Sequence, residues 1–247
     1  MEEVISAKDL YYRELNARIR QKARAGVEHI RLTDVQGHRY IACGLQFKNL
    51  QLRVSGVPGE DLGAFMDGPT VVVENNAQNG VGNTMNDGRI LVHGMAGDVV
   101  GYGMRGGRIY IRDGAGYRVG IHMKGFKEKQ PMLVIGGRAG KFFGEYMAGG
   151  YLILLGATGG STGPVVGDYC ATGMHGGTIF IRGKVEEYKL GKEVKAFPLT
   201  PEDESFLRPI LVDFLESFAL DVNIFDFDSY QKIVPVSTRP YGKLYAY

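Results

Sequence analysis

Met85-Asn86-Asp87-Gly88-Arg89-Ile90-Leu91-Val92-His93-Gly94-Met95-Ala96-Gly97-Asp98-Val99-Val100-Gly101 is rewritten nineteen residues later as Met104-Arg105-Gly106-Gly107-Arg108-Ile109-Tyr110-Ile111-Arg112-Asp113-Gly114-Ala115-Gly116-Tyr117-Arg118-Val119-Gly120. The methionine, the glycine before the apolar run, the two aliphatics flanking one variable residue and the closing glycines keep the same register. A period of about twenty residues marks a solenoid, in which each copy is one coil and buries its apolar face only against the coils above and below.

Working outward, the two aliphatic positions recur as Leu52 and Val54, Val71 and Val73, Leu133 and Ile135, Leu152 and Leu154, and Ile179 and Ile181. Alternating residues of a strand share a face, so these pairs predict two inward columns. A further inward column is expected at Leu62, Val81, Val100, Val119, Phe143 and Val166, each just before a glycine. Met66, Met85, Met104, Met123, Met147 and Met174 open successive coils, and their flexible side chains suit an irregular corner of the core. Short insertions are expected at residues 126–130 and 160–164. With strands stacked about 4.8 Å apart, seven coils make a rod about 30 Å long.

The alternatives fail on spacing. A hexapeptide β-helix needs sub-repeats of six, whereas the glycines here fall at intervals of three and four. A βαβ unit needs room for a helix between strands. The G-x-G-x-x-G-like matches inside the repeat lack that helix and carry no nucleotide signal.

The flanks differ in pattern. Residues 6–25 predict an amphipathic helix with Ser6 as N-cap and Gly26 as stop. Ile30–Leu32 and Tyr40–Ala42, separated by Gly37, predict a hairpin. Lys184–Phe197 is charged and reads as an exit loop. Thr200-Pro201 starts a second helix running to about Ala219, with Pro209 as an interruption. Ile233–Gly242 reads as an extended tail. The expected organisation is therefore an N-terminal cap of helix and hairpin over residues 1–44, an all-β parallel β-helix over 45–183, and a C-terminal helix and tail over 184–247. The last of these is expected to lie on the solenoid's side or end, shielding its open strand edge.

Of 247 residues, 37 are glycine, about twice the usual share, while proline is ordinary at 9. The excess belongs to regular turning. A net charge of +2, small and spread out, gives no argument for nucleic acid or an acidic partner. The start is acidic and lacks an apolar signal segment, and no apolar run approaches the ~20 residues that span a bilayer. A cytoplasmic location is expected, with Cys43 and Cys170 as reduced, buried thiols.

Candidate chemistry is sparse. His29, His38, His93, His122 and His175 fall in different columns, which predicts no stacked metal cluster. Asn75, Asn76, Gln78, Asn79, Asn83 and Asn86 form the most unusual polar stretch; they read as turn residues adopting positive φ, or else as a patch for a ligand or partner. Ser161 lacks the strand–turn–helix setting of a hydrolase nucleophile. Asp98 and Asp113 occupy different register positions, so no acid–base pair emerges. No catalytic, cofactor or metal residue is assigned.

The repeat, most of all Gly59-Glu60-Asp61-Leu62-Gly63-Ala64-Phe65-Met66, Gly144-Glu145-Tyr146-Met147-Ala148-Gly149-Gly150 and Gly173-Met174-His175-Gly176-Gly177, resembles the C-terminal GXGXG domain of the glutamate synthase large (alpha) subunit. The flanks at Gln36–Ile41 and Pro235–Tyr241 look like free-standing single-domain versions of it. One of the subunits of formylmethanofuran dehydrogenase is similar to the same repeat. The resemblance implies a right-handed parallel β-helix without catalytic residues of its own. It implies a scaffold that braces a glutamine amidotransferase subunit against a synthase subunit with FMN and iron–sulfur clusters, with no cofactor in this chain and room for self-association. Two further classes stay open: a structural subunit of a formylmethanofuran dehydrogenase-like oxidoreductase, and a stand-alone β-helix enzyme or carbohydrate binder.

Overall fold

The computed structural model describes residues 2–160 and 163–236. Strand β1 (Glu3–Ser6) and helix α1 (Tyr12–Arg24) precede eight strands, one to each coil. These are β2 (His29–Gln36), β3 (Gln51–Val57), β4 (Asp67–Val73), β5 (Asp87–Val92), β6 (Arg108–Ile111), β7 (Met132–Ile135), β8 (Ala148–Leu154) and β9 (Gly176–Arg182). Then come β10 (Val194–Phe197), α2 (Pro201–Phe218) and β11 (Tyr230–Pro235). The strands form one sheet in the order β1-β2-β3-β4-β5-β6-β7-β8-β9-β11-β10, parallel from β1 through β9. This is the parallel β-solenoid that the repeat implies.

Both expected strand columns form. Leu52, Val71, Ile90, Ile109, Leu133, Leu152 and Ile179 pair in succession, as do Val54, Val73, Val92, Ile111, Ile135, Leu154 and Ile181, and none is more than 1% exposed. The methionine column from Met66 to Met174 is equally buried. The third column holds Leu62, Val81, Val100, Val119 and Phe143 but ends at Cys170 instead of Val166, because the Ala171 amide donates to the Phe143 carbonyl at 2.7 Å. Val166 instead continues the line Ala77, Ala96, Ala115, Ala139. The second insertion is the cause. Gly156 bonds to Gly137, yet ten positions separate it from Val166, where two separate Gly137 from Ala139.

The predicted hairpin is not formed. Ile30 and Leu32 pair in parallel with Leu52 and Val54, and the Gly63 amide donates to the Ile41 carbonyl at 2.8 Å. Residues 29–50 are therefore a full coil, and the 44/45 boundary falls inside the solenoid. The step of this first coil is 22 residues at Ile30 and Leu32 and 21 beyond the register shift between Leu32 and Val35, which hides it from a nineteen-residue pattern. Helix α1 starts later than expected. Ser6 ends β1, donating to Asp34 and accepting from the Lys8 amide, and Tyr11 precedes the helix without a side-chain cap. Leu15, Ile19 and Ala23 of α1 close the open end of the core against residues such as Leu32 and Ile41.

At the other end, the expected exit loop contains β10, and the tail contributes β11, antiparallel to both β9 and β10. Residues 237–242 of the expected tail lie outside the described residues. The edge of β9 is thereby covered, as a solenoid requires. Helix α2 begins at the anticipated Thr200, whose hydroxyl accepts from the Asp203 amide while the Asp203 carboxylate accepts from the Thr200 amide. It continues through Pro209 as one helix. Leu207, Ile210, Leu211, Phe214 and Phe218 pack on Tyr110, Val134, Ile153 and Phe180, the outward residues of β6 to β9. Each such side chain contributes roughly 1.5–3 kcal/mol by burial.

Candidate functional site

The Asn75–Asn86 stretch lies at a corner, but none of its asparagines has positive φ. The side-chain amides of Asn76, Asn79 and Asn83 instead tie one coil to the next. Asn76 Oδ1 accepts from the Met95 amide at 2.8 Å, and Asn79 Oδ1 from the Asp98 amide at 2.9 Å. Asp98 Oδ1 accepts from the Tyr117 amide at 2.8 Å, so each bond spans one nineteen-residue step. Asn83 donates to Asp61. The turn explanation from the sequence is thus corrected: these side chains serve as acceptors for amides that the corner would leave unpaired.

The histidines are dispersed. His38 Nε2 lies 3.0 Å from the Leu10 carbonyl oxygen. His93 packs edge-on against Phe218 at 4.9 Å, and burial together with the Arg112 and Arg53 charges lowers its pKa. His122 stacks on Tyr146 at 5.2 Å. His175 sits beside the Gly173 carbonyl. Among the described residues no group of three or more His, Cys, Asp or Glu side chains could hold a metal ion. Burial pushes the Cys170 thiol up to about 12 and raises that of Cys43, the reverse of nucleophile activation. Ser161 lies outside the described residues.

Two carboxylates anchor polar clusters on the outer face. Glu74 accepts from Ser55, Arg31 and Arg53, so that three consecutive coils meet at one side chain. Asp213 of α2 accepts from Arg89 at 2.7 Å and from the Tyr110 hydroxyl at 2.9 Å, pinning the helix to β5 and β6. Burial alone would raise the Asp213 pKa, but these donors outweigh it and hold it below the usual range.

Aromatic rings line the later part of the coils, on the way into the next strand, a feature the sequence does not announce. Phe142 stacks on Tyr169 at 5.0 Å and His122 on Tyr146, with Tyr102 edge-on to His122. Tyr102, Tyr146 and Tyr169 are exposed. Phe142, Tyr169, His122 and Tyr146 all have φ between +53° and +63°. Other coils place Gly80, Gly103 or Gly173 in those columns. Aromatics at positions that glycine fills elsewhere are the signal available in the sequence. The arrangement can present a ringed surface to another molecule, and it assembles no reacting groups.

Comparison with known proteins agrees with the fold. The model of the GXGXG motif family matches residues 11–237. An uncharacterised protein of Methanocaldococcus jannaschii, MJ1350, is 47% identical over 253 residues, covering 99% of this chain and 97% of that one. Among solved structures, a chain of the formyltransferase/hydrolase complex (FhcABCD) from Methylorubrum extorquens, determined with methylofuran, superposes with a TM-score of 0.57 at 20% identity, covering 88% of this chain and 84% of that one. Among the described residues no helix is long and apolar enough to cross a membrane.

Proposed function

The chain belongs to the GXGXG motif family, and from that premise we propose that it is a non-catalytic scaffold subunit of a split glutamate synthase-like complex. It braces a glutamine amidotransferase subunit against a synthase subunit that holds FMN and iron–sulfur clusters, and works in the cytoplasm. The observation that carries this reading is the use of the polar side chains. Asn76, Asn79, Asn83, Asp98, Glu74 and Asp213 are spent on tying coils and helix together. What remains is a stiff rod with exposed aromatic edges. The FhcABCD neighbour, a chain of a multi-subunit assembly, supports a subunit role.

The test is affinity purification of the tagged chain from cells that express it natively. The expected result is stoichiometric recovery of an amidotransferase and a flavin and iron–sulfur protein, with glutamine-dependent glutamate formation lost when the chain is deleted. A chain recovered alone, or with metal–pterin subunits, overturns the proposal.

A further inference from the structure

Helix α1 carries Arg13, Arg18, Arg20, Lys22 and Arg24 against Glu14 alone, a local charge of +4 in a chain whose total is +2. The charges divide by face. Arg18 pairs with Glu14 at 2.7 Å and Lys22 with Glu3 at 2.5 Å. Arg13, Arg20 and Arg24 have no carboxylate partner among the described residues, and all three line a cavity of about 490 Å3 between α1 and the first corner. Its other walls include the Tyr12 and Tyr40 rings, 5.8 Å apart. The floor is ordered: Arg20 donates to the Cys43 carbonyl at 3.0 Å, and Arg13 Nε to the Tyr12 hydroxyl at 3.3 Å. Each guanidinium has five N–H donors, and one each of Arg13 and Arg20 is engaged by these bonds.

We propose that this cleft receives an acidic segment of a partner protein, Asp/Glu-bearing and laid along α1; the inference rests on the scaffold reading and assigns the partner's chemistry. Spacing selects the ligand class. At 1.5 Å rise per residue, Arg13 and Arg20 are about 10 Å apart along the helix and Arg20 and Arg24 about 6 Å. The whole row from Arg13 to Arg24 is about 16 Å long, more than one phosphate or carboxylate spans, so a single small anion leaves at least one of the three unpaired. Carboxylates at i, i+4 and i+11 of an antiparallel helix repeat the same two intervals. Aromatic walls beside arginines suit a polypeptide edge, since Tyr and Arg are the residues that anchor interfaces.

The test uses the full chain and a fluorescent dodecaglutamate peptide, long enough to carry carboxylates at i, i+4 and i+11, at low salt, with ADP and inorganic phosphate as competitors. The expected result is saturable peptide binding that weakens steeply with NaCl and falls at least tenfold in Arg13→Gln/Arg20→Gln/Arg24→Gln. Arg13→Gln/Arg24→Gln, which keeps the Arg20 bond to Cys43, should also weaken it several-fold. Arg18→Gln, on the paired face, should stay within twofold. Absent binding, an equal loss in Arg18→Gln, or tighter binding of ADP or phosphate than of the peptide each overturns the proposal. In the native purification, Arg13→Gln/Arg24→Gln should reduce partner recovery tenfold. Undiminished recovery sinks the cleft proposal while leaving the scaffold reading intact, whereas a wild-type chain without partners sinks the scaffold reading alone and the peptide titration still decides the cleft.

Discussion

Gly101→Val tests the stacked corner most directly. Gly101 has φ +68°, and its amide donates to the Val81 carbonyl of the coil below at 2.8 Å. A Cβ added there would lie 2.6 Å from Leu133 Cδ1, with Met104 Sδ at 3.8 Å. The left-handed conformation costs an L-residue about 1–2 kcal/mol, and extra methyls in a packed core about 1–3 kcal/mol. Valine, branched at Cβ, incurs both, for a loss of about 2–5 kcal/mol. At about 2–4 °C per kcal/mol for a chain of this size, the melting temperature should fall by roughly 4–20 °C. Gly101→Ala supplies the internal comparison. Ala42 and Ala171 occupy the same column at the ends of the stack, with φ +62° and +59°. At Gly101 alanine brings the conformational cost and the Cβ contact with Leu133 but not the γ-methyls of valine, so its loss should fall below that of valine. Thermal melts and urea titrations of the three proteins decide the matter. A valine variant that melts with the wild type, or alanine and valine losses of equal size, would refute the register and packing described above.

Two further substitutions probe the polar ties. Asn79→Ala deprives the Asp98 amide of its acceptor and should lower stability by about 1 kcal/mol in a urea titration, while Gln78→Ala, whose side chain makes no such tie among the described residues, should stay within about 0.5 kcal/mol. Asp213→Asn weakens the clamp on α2. With that carboxylate about one-third exposed, the loss at pH 7 is about 1 kcal/mol. The pH dependence has a definite sign. The folded pKa of Asp213 is depressed below the unfolded value of about 3.9, so its contribution is full above that value and is lost as pH falls through the folded pKa. Melts from pH 7 to pH 2 should show wild type and Asp213→Asn converging in the acid range; a constant gap would contradict the clamp.

Most of the rod is legible in the sequence because its core is written at two fixed periods. Alternation within the strand fixes which residues point inward, and the nineteen-residue step fixes which stack. Where the step changes, the reading slips. The first coil has a 22-residue step with a register shift, so Ile30–Leu32 and Tyr40–Ala42 mimic the two arms of a hairpin. In the last coil, Val166 and Cys170 are both compact and apolar, and only three-dimensional pairing counts the intervening insertion. The asparagine ties are hidden as well. Propensity attributes asparagine at corners to positive φ, whereas Asp61, Val99, Arg118 and Phe142 adopt it here and the asparagines accept hydrogen bonds from the next coil. The α1 cleft is not legible because its cations belong to a helix face whose pairing is visible only when Glu3 and Glu14 are in place.

The outward column of the strands carries the functional asymmetry. It runs Arg31, Arg53, Val72, Leu91, Tyr110, Val134, Ile153, Phe180 from β2 to β9. The last four are fully or almost fully buried under α2, while the first two engage Glu74 at the surface. The chain thus covers the outer face of its own C-terminal half and closes its last strand edge with β10 and β11. A partner meeting the outer face must meet the N-terminal half, where Arg31, Arg53 and Glu74 form a polar plate. The same end bears the α1 cleft, whose three arginines have no carboxylate partner among the described residues. Charge on that end and aromatic rings on the later corners divide the rod into two chemically distinct contacts. That division suits the proposed brace, since two unlike partners can each meet a contact of its own chemistry.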